Sequence, residues 1–137
     1  MVKASMRVMH DVGTIELRVN GHAGFRELGK DPVCAGASVL AMTAAQCAEV
    51  LYDCGRLQKQ PVVNVRDGHV RIVLKPKPER FREADLMMST LAVGFHLLEE
   101  SYPDHVSFKM VDAVPGDKWE KDRESGTESI NTTESST

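Results

Sequence analysis

His22 and Cys34 are the residues in this sequence whose types and spacing suggest reaction chemistry. They lie twelve positions apart in the segment GHAGFRELGKDPVCAGAS, residues 21–38. An imidazole within reach of a thiol can take its proton and make the sulfur nucleophilic, which is the chemistry of a Cys-His dyad. Free cysteines are also among the most buried residue types, so a structural role for Cys34 is the competing interpretation.

The predicted elements around the pair would bring the two side chains together. Asp31 is a typical N-cap and Pro32 suits the first helical position, so a helix is predicted to begin here with Cys34 in its first turn. A helix start favours a thiolate and can also stabilise an oxyanion. His22 follows a predicted strand, and the intervening loop is long enough to fold it back toward Cys34. Asp31 either caps the helix or orients His22, and Ser38 either hydrogen-bonds near the site or bonds back to a carbonyl.

The other cysteines and histidines are predicted to be structural. At about 100° per helical residue, Cys47 and Cys54 differ by about 20° and Cys34 lies about 140° from Cys47, so Cys47 and Cys54 are expected in one core stripe. The remaining histidines precede no cysteine across an open loop and have no evident chemical partner, so surface or partly buried structural roles are expected. They are His10, His69, His96 and His105.

Alternating β-branched residues, turn residues and helical spacing predict five strands and two helices. The order β-β-α-β-β-α-β indicates an α+β fold with a mostly antiparallel sheet and both helices packed on one face. The apolar positions of the second predicted helix include Leu86 and Leu97. The predicted strands cover residues 2–10, 14–20, 61–66, 69–75 and 105–113, and the predicted helices cover 31–54 and 79–101.

Composition excludes several classes of protein. A chain of 137 residues fits one compact domain, and its net charge of -3 does not favour nucleic acid as a partner. The apolar run VCAGASVLAMTAAQCA is too short, and its side chains are too small, for a membrane span to be expected, and no leader sequence is expected. Three cysteines without a CxxC pair indicate reduced thiols in the cytoplasm, with no metal or cofactor. A domain over residues 1–113 and a disordered acidic, Ser/Thr-rich tail over 114–137 are predicted.

The segment GHAGFRELGKDPVCAGAS closely resembles the signature of the bacterial ribosomal-processing cysteine protease family, Prp. In that family a Gly-His-Ala element and an Asp-x-x-Cys-Ala-x-x-Ser element flank a loop. The segment EADLMMSTLAVGFHLLEESYPDHVSFKMV is similar to the closing helix and strand of the family, so the resemblance covers about residues 3–112. Pro32 stands where the family has a branched aliphatic residue, and the tail is not part of the family pattern.

The resemblance implies a cysteine endopeptidase with His22 as general base and Cys34 as nucleophile. It further implies a substrate-gating loop whose flexible ends are Gly21 and Gly29. Asp31 and Ser38 would support the dyad. Members of the family are homodimers and remove a short hydrophobic N-terminal extension from large-subunit ribosomal protein twenty-seven, cutting after an aromatic residue. One alternative is a non-catalytic ribosome-associated assembly or binding factor of the same fold. A redox thiol protein is disfavoured because no resolving cysteine lies beside Cys34.

Overall fold

The structure, a computed structural model, describes residues 1–21 and 32–113. The order of elements is the predicted β-β-α-β-β-α-β, with one short 3₁₀ turn before the second helix. The predicted tail over 114–137 lies outside the described residues. The elements are β1 (Val2–Met9), β2 (Thr14–Asn20), α1 (Pro32–Asp53), β3 (Val62–Arg66), β4 (His69–Leu74), the 3₁₀ turn (Pro78–Arg80), α2 (Phe81–Ser101) and β5 (Val106–Ala113).

The strands form one five-stranded sheet in the order β3-β4-β2-β1-β5. The two predicted hairpins are present: β1 pairs antiparallel with β2, and β3 pairs antiparallel with β4. β4 also pairs antiparallel with β2, whereas β5 joins β1 in parallel with Val2 opposite Val106. The sheet is therefore mostly antiparallel, as predicted.

Both helices pack on the same face of the sheet. The strands bury alternate side chains, as expected for a sheet with one covered face. α1 packs on β4, and α2 packs on β5, where the Phe95 and Phe108 rings stack with their centroids 5.9 Å apart. The buried strand residues of this face include Val2, Ala4, Met6, Val8, Ile15, Leu17, Val19, Ile72, Leu74 and Val106.

Small residues allow α1 and α2 to approach closely. A Cβ atom on Gly36 of α1 would lie 3.1 Å from Leu98 Cδ1, and one on Gly94 of α2 would lie 2.6 Å from Leu40 Cδ2. Because Gly36 meets Leu98 while Leu40 meets Gly94, the two helices run antiparallel.

Helical spacing alone does not determine burial here, and the expected burial of Cys54 is wrong. Leu86 and Leu97 are 70% and 56% exposed, because they lie on the side of α2 that faces away from the sheet. Cys54 is exposed, since α1 ends at Asp53 and the chain turns there. The core stripe expected for Cys47 and Cys54 therefore holds only the half-buried Cys47.

The length argument against a membrane span also fails for α1. Its 22 residues span about 33 Å, which is enough to cross a bilayer, and its composition also meets that criterion. Core helices of soluble proteins satisfy the same two conditions. In this fold the small apolar residues of α1 face the sheet and the neighbouring helix, which accounts for the composition.

Candidate active site

Cys34 lies in the first turn of α1, as predicted. Its side chain forms no disulfide within the described residues and is half-buried against the core. A helix start presents backbone N–H groups that the helix's own hydrogen bonds do not use, and its dipole favours negative charge there. None of the first-turn residues of α1 is acidic, so no carboxylate of that turn opposes a thiolate. The position of Cys34 is therefore suited to a nucleophilic sulfur.

Gly21 directly follows β2 and is the last described residue before the predicted loop. Its φ of +94° lies in the left-handed region that favours glycine. A Cβ atom there would lie 2.3 Å from the Met1 carbonyl oxygen, and the Gly21 N–H donates to the Gly68 carbonyl at 2.9 Å. Gly21 is thus held tightly between the N-terminus and the β3–β4 turn, which sets the direction in which the chain leaves β2.

Gly21 and the start of α1 lie at the same end of the molecule. Gly36 contacts Leu98 in the last turns of α2, and that helix ends next to Tyr102. The Tyr102 carbonyl accepts a hydrogen bond from His105, whose carbonyl accepts one from Val2. Val2 in turn follows Met1, the residue against which Gly21 packs. The fold therefore brings both flanks of the predicted loop to one edge.

The remaining predicted site residues divide into two groups. Ser38 is exposed one turn beyond Cys34, where it borders a shallow groove that Val39 and Met42 also line. His22, Gly29 and Asp31 lie outside the described residues, so the distance from imidazole to thiol and the identity of the helix cap stay predictions.

The other two cysteines occupy different environments. Burial raises the pKa of the Cys47 thiol above its usual value, which disfavours the thiolate. Cys54 is exposed at the opposite end of α1 from Cys34. Cys34 is therefore the cysteine whose position at a helix start favours a reactive thiolate.

The structure gives polar partners to histidines for which the sequence suggested none. His10 Nε2 lies 2.6 Å from Asp112 Oδ1, and its ring packs against Phe81. His69 Nδ1 contacts Asn20, and His96 Nε2 lies 3.3 Å from Glu100 Oε2. None of these histidines belongs to the first turn of α1 or to its flanking loop. His10 directly follows β1, His69 begins β4 and His96 lies within α2.

This architecture, with a cysteine at the start of α1 on a β-β-α-β-β-α-β frame, is matched by a family model described as "Cysteine protease Prp" over residues 1–107. The chain belongs to the cysteine protease Prp family. Its class of activity is therefore that of a ribosomal-processing cysteine protease. The family model ends within β5 and does not include the acidic tail.

Named members of the Prp family cover most of this chain. The ribosomal processing cysteine protease Prp of Bacillus subtilis (strain 168) is 29% identical over 110 residues, which is 77% of this chain and 94% of that protein. The protein of the same name from Staphylococcus aureus (strain Mu50) is 24% identical over 106 residues, covering 77% of this chain and 95% of its own length.

Solved structures, two of them of a Prp protease, share the fold. The essential ribosomal processing protease Prp from S. aureus, in complex with a covalently linked product peptide, superposes with a TM-score of 0.59 at 26% identity, covering 80% of this chain and 99% of that one. The same protease with a substrate peptide gives a TM-score of 0.57 at the same identity and coverage. SMU.848 from Streptococcus mutans also gives 0.57 at 26% identity, covering 82% of this chain and 96% of its own.

Proposed function

We propose that this chain is an endopeptidase that removes a short hydrophobic N-terminal extension from large-subunit ribosomal protein twenty-seven in the cytoplasm. The observation that supports this most directly is the position of Cys34 in the first turn of α1, in a chain that belongs to the Prp family. The S. aureus relative with a covalently linked product peptide agrees with covalent catalysis by that sulfur.

The reaction proceeds through an acyl-enzyme. His22 takes the proton from the Cys34 thiol, and the sulfur attacks the carbonyl carbon that precedes the scissile bond. N–H groups at the start of α1 stabilise the oxyanion of the tetrahedral intermediate. His22 then gives the proton to the leaving amine, the C–N bond breaks, and a thioester joins Cys34 to the extension. Water hydrolyses this thioester and restores the thiol.

The residues around Cys34 allow a peptide backbone to approach. Ala35 is exposed and small, and Gly36 has no side chain. Gly21 directs the chain out of β2 at the same end of the molecule, where His22 follows at once. In this proposal Gly21 and Gly29 bound a loop that closes over the peptide, and Asp31 and Ser38 support the dyad.

We also propose that two copies associate through the outer helix face, defined here as the sides of α1 and α2 turned away from the sheet. Val39 and Met42 of α1 are 65% and 46% exposed, and Val93 and Leu97 of α2 are 58% and 56% exposed. Because the helices are antiparallel with Gly36 beside Leu98, these four side chains lie at neighbouring levels. A contiguous exposed apolar patch of this kind marks an association surface.

The association is tested by measuring molar mass in solution. Met42→Glu and Val93→Glu place charge in the proposed interface and are expected to give monomers. Val12→Glu changes a valine that is 53% exposed in the β1–β2 turn and should leave the dimer intact. A full-length chain that is monomeric at micromolar concentration would contradict the dimer.

Substitution of Cys34 tests the endopeptidase. Cys34→Ala and Cys34→Ser are expected to abolish cleavage of an extended precursor peptide, whereas Cys54→Ser should retain it because Cys54 is exposed and remote. His22→Ala is expected to lower turnover by about 10²–10⁴-fold while peptide binding and melting temperature are kept. Cleavage by Cys34→Ala, or an unaltered rate in His22→Ala, refutes the dyad.

Thiol alkylation at neutral pH separates catalysis from a binding role. Cys54 will also react because it is exposed, so the labelling is done in a Cys54→Ser background. Faster alkylation of Cys34 than of Cys47 supports a nucleophile, since burial raises the pKa of the Cys47 thiol. Slow alkylation of Cys34 together with absent cleavage would favour the non-catalytic assembly factor instead.

A further inference from the structure

The face of the sheet opposite the helices, called here the open face, is strongly basic. The sheet registers place side chains of all five strands on it in rows, because paired residues point to the same side. One row runs across Arg66, His69, Asn20, Lys3 and Ser107, and the next runs across Asn64, Arg71, Arg18, Ser5 and Lys109. The cationic residues of the open face are Lys3, Arg7, Arg18, Arg66, Arg71 and Lys109.

The charges of the described chain are segregated. Residues 1–21 and 32–113 contain twelve basic and twelve acidic side chains, and the open face holds six of these cations but only one of the acids, Glu16. The other described acids lie in turns, on the helices or on the helix side of the sheet. The net charge of -3 averages over this asymmetry and so conceals a basic surface.

Glu16 orders the middle of the open face. Its carboxylate accepts from Arg18 Nε at 2.6 Å, from Arg71 Nε at 2.8 Å and from Arg7 Nη2 at 3.2 Å. Burial alone would raise the pKa of Glu16, but hydrogen bonds from Arg18 and Arg71 and the charges of Arg18 and Arg7 lower it overall. The three guanidinium groups stay partly exposed around one ionised acid, so the cluster keeps a positive charge and a fixed geometry.

Three further cations surround this cluster, and no acid of the described residues pairs with them. Lys3, Arg66 and Lys109 are exposed, and within residues 1–21 and 32–113 none of them forms a salt bridge. They lie on three different strands at both sides of the Glu16 cluster. The cationic area therefore extends about 19 Å across five strands and about 13 Å along them.

We propose that the open face binds the phosphate backbone of RNA. A flat array of arginine and lysine side chains matches a polyanion with closely spaced charges, and exposed guanidinium groups suit phosphate oxygens. The strand residues of this face include no Phe, Tyr or Trp, so base stacking contributes little and binding should depend weakly on sequence. The choice of RNA rests on the proposed function, because a ribosomal substrate is encountered beside RNA.

The open face is also placed to serve the proposed active site. Lys3 pairs with Asn20, the residue before Gly21, so the most basic rows approach the edge where the His22 loop begins. RNA held on the open face would keep a ribosomal protein that is bound to it near this edge. Cleavage of a free peptide needs no such contact, which separates the two proposals experimentally.

Binding of the full-length chain to a fluorescent single-stranded RNA, followed by anisotropy between 50 and 200 mM salt, tests the inference. With about three to five phosphates contacted, the logarithm of the binding constant should fall against the logarithm of salt concentration with a slope of about -2 to -3.5. The triple variant Lys3→Glu, Arg66→Glu and Lys109→Glu should bind at least roughly tenfold more weakly and with a smaller slope.

A matched triple variant provides the control. Lys59→Glu, Lys77→Glu and Arg82→Glu change the same number of charges outside the open face and should retain most of the binding. Both variants should cleave a free precursor peptide at the rate of the parent, so lost RNA binding with kept cleavage assigns the effect to the open face.

Several results would overturn the RNA inference without touching the endopeptidase. These are no RNA binding at 50 mM salt, equal weakening in the two triple variants, or tighter binding to anionic phospholipid vesicles than to RNA. If RNA binds only after the six acids of residues 114–137 are replaced by amides, the acidic tail and not RNA is the occupant of the open face.

Discussion

Replacing Gly21 by alanine is expected to destabilise the fold more than the same change at Gly13. Both glycines have a positive φ, +94° and +64°, so both substitutions place a Cβ in a backbone conformation that alanine rarely adopts, at about 1–2 kcal/mol. Nothing lies within 4 Å of a Cβ on Gly13. Gly13→Ala therefore measures the backbone penalty alone.

Gly21→Ala adds a collision to that penalty. The new Cβ would lie 2.3 Å from the Met1 carbonyl oxygen, about 1 Å closer than an ordinary C···O contact. The same peptide group is fixed on its other side, because the Val2 N–H donates to the His105 carbonyl at 2.8 Å. Relieving the collision distorts that hydrogen bond or moves Gly21, at a further cost of about 1–3 kcal/mol.

Urea unfolding and thermal melting of the two variants measure the difference. The extra loss for Gly21→Ala corresponds to a melting temperature about 4–12 °C below that of Gly13→Ala, at about 4 °C per kcal/mol for a domain of this size. Peptide cleavage should also fall more in Gly21→Ala, since the chain leaves β2 toward His22 at this residue. Equal stabilities for the two variants would refute the steric argument.

Further variants test the helix contact, the core thiol and the buried acid. Gly94→Ala should be less stable than Gly36→Ala by about 1–2 kcal/mol in urea unfolding. The Cβ of Gly94→Ala would lie 2.6 Å from a Leu40 methyl, whereas the Cβ of Gly36→Ala would lie 3.1 Å from a Leu98 methyl, which is a milder contact. Equal stability would contradict this. Cys47→Ala should lose about 1 kcal/mol and keep peptide cleavage, and lost cleavage in a folded protein would contradict its core role. Glu16→Gln should lose about 1–3 kcal/mol at pH 7. The pKa of Glu16 is lowered in the folded state, so its contribution to stability is present above about pH 4.5 and is lost as the pH falls through that lower pKa. The stabilities of Glu16→Gln and the parent should therefore converge in acid. A difference in stability that stays constant with pH would contradict the argument.

The elements and their order could be predicted from the sequence because they depend on local properties. Alternating apolar residues define the strands, the DG and HDVG segments define hairpin turns, and Pro32 suits the start of a helix. The first-turn position of Cys34 follows from that start and is found in the structure. The predicted pairing of Cys34 with His22 is different, since it depends on the path of residues 22–31, which are outside the described residues.

Burial and charge clustering were decided by tertiary structure. Leu86 and Leu97 have the spacing of core residues, yet they lie outside because only one side of α2 meets the sheet. Cys54 follows the same helical spacing as Cys47 but lies past the end of the helix, where no neighbouring element covers it. Local periodicity identifies an apolar position, whereas its burial depends on what packs against it.

The basic open face likewise depends partly on local sequence and partly on tertiary structure. Lys3 and Arg7 are an even number of positions apart, and so are Glu16 and Arg18. Because side chains alternate along a strand, this spacing could have indicated that each pair shares one side of its strand. The sequence alone does not determine that β2 lies between β1 and β4, and that order is what brings Arg7 and Arg71 to the same carboxylate as Arg18. Strand order is set by contacts between residues far apart in the chain, so a charge pattern that is unremarkable along the sequence becomes one concentrated surface in the fold.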